Sequence, residues 1–130
     1  MPMYTITEHA IMKTPDEIAQ PLTPAVFQVL LSLAEGDKHG YAILKDVEDH
    51  SGGDVRLSTG TLYAIMKRLL AEGLIQELRN RPPAYQDDQR RRYYRLTPRG
   101  RDVAVAEAER MEKLIARARD TKLIRKFRTA

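Results

Sequence analysis

The sequence contains no cysteine and no tryptophan. The first absence excludes disulfides, thiolate metal ligands and cysteine nucleophiles together, and it suits a reducing compartment such as the cytoplasm. Histidine is scarce as well. His9, His39 and His50 stand in separate segments without His-x3-His spacing, so no metal site is expected. No apolar run reaches the length of about 18 residues that a membrane span needs, so no membrane partner is expected. The opening "MPMYTITEHAIMK" carries Glu8 and lacks an apolar stretch, and it does not read as a signal peptide. Gly52-Gly53 lacks the Lys-Ser/Thr of a phosphate loop, and no nucleophile–base pair can be picked out. Neither an enzyme nor a cofactor is expected.

What the chain does have is charge. Its 130 residues are enough for one domain, and 31% of them are Asp, Glu, Lys or Arg. The signs are segregated. Residues 1–55 hold three Lys/Arg against nine Asp/Glu, residues 56–101 hold eleven against four, and residues 102–130 hold eight against five. Positive charge concentrated in mid-chain is the footprint of a surface that meets a polyanion.

The local signals give an order of elements. "LTPAVFQVLLSLAEGD" predicts a helix capped by Thr23, with Pro24 at its first position and Gly36 after its last turn. Val26, Phe27, Leu30, Leu31, Leu33 and Ala34 cover more than one of its faces, which predicts burial on two sides. A second helix is expected over Gly40–His50, with Tyr41, Leu44 and Val47 on its inner stripe and Ile43 beside it. The third, "STGTLYAIMKRLLAEGLI", begins at the cap Ser58, turns Leu62, Ile65, Met66 and Leu69 inward, and stops at Gly73. "LIQELRN" and "RRRYYRL" read as two short strands joined by the polar loop "RPPAYQDDQ", with Tyr94 and Leu96 on one face of the second strand. A long helix follows Thr97-Pro98. Its Ala104, Ala108, Met111, Ile115 and Ala118 step by four and three, the seam of a packed helix pair, and its phase slips at Asp120-Thr121.

Three helices and a hairpin make a winged helix-turn-helix: mainly α with a two-stranded wing, followed here by a long C-terminal dimerisation helix. The division expected is an arm over 1–22, a DNA-binding domain over 23–96, and a dimerisation helix with a basic tail over 97–130. In such a fold the third helix enters the major groove. Thr59, Gly60, Tyr63, Ala64, Lys67 and Arg68 lie off its core stripe, small at the N-terminal end and cationic further on. Arg79, Arg81, Arg90, Arg91 and Arg92 crowd the hairpin, where arginines cross the backbone or enter the minor groove.

With these residues in place, "LLAEGDKHGYAILKDVE", "STGTLYAIMKRLLAEGLI" and "RRYYRLTPRGR" resemble the PadR-like transcriptional regulators in order and spacing, over about Leu22 to Arg110. The chain is similar to the short subgroup with a single long C-terminal helix. The resemblance implies a homodimer held by that helix, binding to double-stranded DNA at an inverted-repeat operator, and usually repression relieved by a small-molecule effector. Carried over by position, His39, Gly40 and Tyr41 match the family's entry to helix two, and Ser58, Gly60, Thr61, Leu62 and Tyr63 match its recognition-helix start. Tyr41, Ser58 and Thr61 thereby join the DNA-facing set. Three features depart from the family, the first an arm over residues 1–20 longer than the short subgroup usually needs. Ala64 stands where it often has Pro, and Phe127 is the only aromatic residue of the last helix, which leaves no pair to sandwich an aromatic effector. Two rival readings stay open at this stage: a winged-helix adaptor whose basic face binds an acidic protein, and an RNA binder. The hairpin's lack of stacked aromatics argues against the second.

Overall fold

The computed structural model describes residues 22–78 and 92–125. The arm up to residue 21, the wing residues Arg79, Arg81, Arg90 and Arg91, and the end of the tail with Phe127 lie outside the described residues.

Helix α1 (Pro24–Ala34) opens as its sequence dictates: the Thr23 hydroxyl accepts from the Val26 N–H at 3.2 Å, and Pro24 occupies the first turn. Val26, Val29, Leu30 and Leu33 are buried at i, i+3, i+4 and i+7. Phe27 is half-buried, but Leu31 is 43% exposed, so burial on two sides is only partly realised. Leu31 lies at the mouth of a cleft between α1 and α2, beyond the reach of the packed face.

Helix α2 (Gly40–His50) has the predicted limits, yet its inner face is turned from the expected stripe. Ile43 and Val47 are fully buried, Leu44 is half-buried, and Tyr41 is 61% exposed. The reason is Gly40. It is the residue that meets the next helix, and a Cβ there would stand 2.6 Å from the Tyr63 hydroxyl. The neighbouring Tyr41 is then directed outward, about 100° further round the helix.

Helix α3 (Thr59–Ala71) starts at Ser58, whose hydroxyl accepts from the Thr61 N–H at 3.0 Å, and it buries Leu62, Met66 and Leu69. Gly73, in the left-handed region at φ 75°, turns the chain into a strand. The strands are β1 (Lys38–His39), β2 (Ile75–Leu78) and β3 (Tyr93–Leu96), antiparallel in the order β1-β3-β2. Leu78 and Tyr93 pair at the end of the β2–β3 hairpin next to its connecting loop, and Ile75 pairs with Leu96 at its base. β1 was not expected: two residues are too short for any alternation to show. Its pairing of His39 with Tyr93 and Lys38 with Tyr94 ties the wing to the entry of α2. Tyr94 is buried, as its face-sharing with Leu96 predicts, and desolvation raises its phenol pKa.

Helix α4 (Pro98–Asp120) is fastened at its start. The Thr97 hydroxyl accepts from the Gly100 N–H at 2.9 Å and donates to the Gly73 carbonyl at 2.7 Å, while the Thr97 N–H donates to Leu74 O at 3.0 Å. Gly100, Val103 and Glu107 are buried against the domain. From Ala108 to Asp120 the helix is largely exposed, with only Arg110 and Ala118 half-buried. It ends at Asp120, and Lys122 at φ 65° closes it, where the phase slips in the sequence.

A polar network joins α1, β1 and α2. Asp46 accepts from the Ser32 hydroxyl at 2.7 Å and from the Lys38 ammonium at 2.8 Å, and Lys38 also reaches the Ser32 carbonyl and Glu35. Burial by itself would raise the Asp46 pKa, but the hydrogen bonds from Lys38 and Ser32 hold it below its ordinary value. Burial likewise opposes the Lys38 charge, and Asp46 and Glu35 overcome it, raising that pKa. A carboxyl lowered on folding stabilises the chain above its unfolded value of 3.8 and loses that contribution as pH falls through the folded value. Asp46→Asn is therefore expected to lose about 2 kcal/mol at neutral pH, the scale of hydrogen bonds to a charged group. The gap from wild type should close below pH 3.8 in urea titrations run at stepped pH. A gap independent of pH would refute the role given to the Asp46 charge.

Candidate nucleic-acid interface

Among the described residues, those that the sequence singles out on α3 share its exposed side. On α3, Ser58, Thr59, Gly60, Thr61, Tyr63, Ala64, Lys67 and Arg68 are all exposed, while their neighbours Leu62, Met66 and Leu69 form the core. The helix is thus anchored by one stripe and presents the whole opposite side. Tyr41, at the start of α2, is exposed close by: with Tyr63, Thr59, Gly40, Leu44 and Leu62 it lines a notch of about 150 Å³.

The cations differ in freedom. Lys67 makes no ion pair among the described residues. The Arg68 Nε lies 3.4 Å from Glu72 Oε2, one turn along the helix, and the Arg92 Nε lies 3.7 Å from Glu77 across the hairpin. Both are surface pairs worth little in water, so a phosphate competes with them readily. Arg95 is different. Its guanidinium forks onto Asp37 with hydrogen bonds of 3.1 and 2.8 Å, which lower the Asp37 pKa and raise that of Arg95. Arg95 fixes the wing strand to the α1–β1 connection rather than reaching outward.

His39 sits where these pieces meet. Its Nδ1 accepts from the Ala42 N–H at 3.1 Å, which makes it the cap of α2 in keeping with its reading as part of the helix entry. Its ring meets the Tyr93 ring edge-on at 5.4 Å and lies nearly parallel to that of Tyr41 at 6.4 Å. The start of α2 and the wing are thereby held in a fixed relation beside α3.

On α4, Ala104 packs partly into the domain's own core, whereas Ala108, Met111 and Ile115 are exposed and Ala118 is half-buried. The structure adds Leu114, 54% exposed, which the steps of four and three pass over. Met111, Leu114, Ile115 and Ala118 then form an i, i+3, i+4, i+7 stripe that the domain does not cover. Its position three residues after Met111 was the available signal. At the root of this stripe, Glu107 is buried and bound twice by the Arg110 guanidinium, at 2.5 and 2.6 Å. The pair borders a cleft of about 340 Å³ between α1 and α4, with Leu22, Phe27, Met111 and Leu114 as apolar walls.

His50 is drawn into a cluster of carboxylates. Its Nδ1 lies 3.0 Å from Asp46 Oδ1, and Glu35, Asp46 and His50 converge within 4.8 Å of one another. The Lys38 ammonium already bridges the two carboxylates, at 2.9 and 2.8 Å. The cluster is an ion network with its cation supplied by the chain. Asp46 and His50 are one turn apart on α2, but Glu35 caps the end of α1, so only the docking of the two helices brings the three together.

Comparison with known proteins places this geometry. Residues 29–106 match the profile of the transcriptional regulator PadR-like family. The transcriptional regulator Rv3488 of Mycobacterium tuberculosis is 31% identical over 86 residues, covering 66% of this chain and 74% of that protein. An uncharacterized 37.1 kDa protein in transposon TN4556 of Streptomyces fradiae is 39% identical over 89 residues, which span 68% of this chain but only 23% of that protein. Among solved structures, a transcriptional regulator from Clostridium thermocellum superposes with a TM-score of 0.59 at 28% identity, covering 78% of this chain and 90% of its own.

Proposed function

The chain belongs to the PadR-like family of transcriptional regulators, DNA-binding proteins rather than enzymes, and from that premise we propose that it is a dimeric repressor that reads an inverted-repeat operator with α3. The observation that carries this reading is the fully exposed side of α3, hydroxyls and glycine at its N-terminal end and Lys67 and Arg68 beyond, set beside the wing base. Residues 23–96 form the reading unit, with Tyr41, Ser58, Thr59, Gly60, Thr61 and Tyr63 toward the groove and Arg79, Arg81, Arg90, Arg91 and Arg92 along the wing. Residues 97–130 join two copies through α4. Two-fold symmetry then sets the half-site centres one turn apart, about 34–36 Å, or a multiple of it. The α1–α4 cleft supports release by a small-molecule effector: an apolar pocket with a buried carboxylate and a half-buried guanidinium lies at the root of the joining helix, so a ligand there bears on the angle between the two readers.

The test separates positioning from reading. Phosphate contacts carry no sequence information, and a base contact made by an uncharged side chain releases no counterion. Lys67→Ala in both subunits removes two phosphate contacts and should flatten the plot of log affinity against log salt by about 1.8. It should weaken operator and scrambled duplex alike. Thr59→Ala should leave that slope intact and weaken the operator alone, by about 1–3 kcal/mol. If Lys67→Ala erased sequence preference while Thr59→Ala changed nothing, the roles assigned along α3 would be wrong.

A further inference from the structure

Between the N-terminal ends of α2 and α3, on a face rich in hydroxyls and cations, lies an apolar notch. Leu62, buried, and Leu44, half-buried, form its floor; Tyr41 and Tyr63, 61% and 47% exposed, and Thr59 form its rim. Gly40 makes it possible, because any side chain there would push the Tyr63 ring away from α2. At about 150 Å³ the notch is well below the roughly 300–1,000 Å³ of a drug-sized ligand site, so it does not fit an effector. It does fit a methyl group and the edge of the base that bears it. In the major groove only thymine offers such a group, its C5-methyl, among edges otherwise composed of donors and acceptors.

We propose that this notch is a specificity pocket for a thymine methyl group, one per half-site, gripped between Tyr41, Tyr63 and the Thr59 methyl. The proposal rests on α3 entering the major groove, and it adds what that helix selects there. Its place at the end of α3 that meets the bases, continuous with Thr59 and Gly60, is what commits the pocket to DNA.

The experiment begins with an operator selected from random duplexes. Each thymine is replaced in turn by deoxyuridine, which deletes the methyl and nothing else, and binding is measured for the full chain. Burial of one methyl predicts a loss of roughly fourfold for one half-site and about fifteenfold when both symmetry-related thymines are replaced. In Tyr41→Ala, which removes a wall, the same replacement should change affinity less than about twofold. If that variant binds too weakly to titrate, Leu44→Ala, which alters the floor alone, carries the same comparison. Absence of any methyl-sensitive thymine would overturn the proposal, as would sensitivity that persists unchanged in the wall and floor variants. Failure of the underlying reading is separately visible, since Lys67→Ala would then leave the salt slope at its wild-type value.

Discussion

A chain carrying Met111→Asp and Ile115→Asp is expected to sediment as a folded monomer under conditions where the wild type sediments as a dimer. Both side chains are exposed in the single subunit, 40% and 46%, and stand outside its core, so the substitution leaves the domain intact. In a dimer joined through the stripe Met111, Leu114, Ile115 and Ala118 it places four carboxylates in an apolar seam. An uncompensated buried charge is destabilising by about 3–5 kcal/mol. Even one at the low end of that range raises the dissociation constant by more than roughly a hundredfold, and two per chain by far more. Operator binding should fall with it, because a monomer engages one half-site, and the footprint should shrink to that half. Circular dichroism checks that the helices persist. A dimer of unchanged affinity would sink the assignment of this stripe.

The second large effect is on the fold itself. Gly100→Ala is expected to destabilise the subunit by about 3 kcal/mol or more, although Ala is the better helix former by about 1 kcal/mol. A Cβ at position 100 would overlap the Leu74 carbonyl oxygen and lie 2.8 Å from Leu96 Cδ1 and 2.9 Å from the Leu74 carbonyl carbon. Two of these neighbours are backbone atoms of the turn into β2 and cannot swing aside. The start of α4 must retreat, and the Thr97 bonds to Gly73 and Leu74 stretch or break. Gly60→Ala is the control: its added Cβ meets nothing nearer than the Ser58 hydroxyl at 4.0 Å, so it should be neutral or mildly stabilising. Urea denaturation at matched slopes measures both. Equal midpoints for the two variants would refute the contact.

The same two regions show how far the sequence reaches. It determined by itself where helices start and stop, because caps and turns act over three or four residues: Thr23, Ser58 and Thr97 each bond a backbone N–H three positions on, and Pro24 and Pro98 sit where a missing N–H does no harm. It also determined the core side of α3, since Leu62, Met66 and Leu69 repeat with the helix turn, and the end of α4 at its phase slip. Only tertiary structure decided which way α2 turns. Ile43 and Tyr41 compete for the inner face with similar local credentials, and the contact of Gly40 with Tyr63 settles it. The same holds for β1, defined by pairing with β3 rather than by its own two residues, and for the Asp37–Arg95 fork, whose partners are 58 positions apart. The notch beside Thr59 exists only once α2 and α3 are docked. Propensity and capping are short-range and are written along the chain, whereas packing angles, cross-strand partners and the spaces between helices depend on contacts that no local pattern encodes.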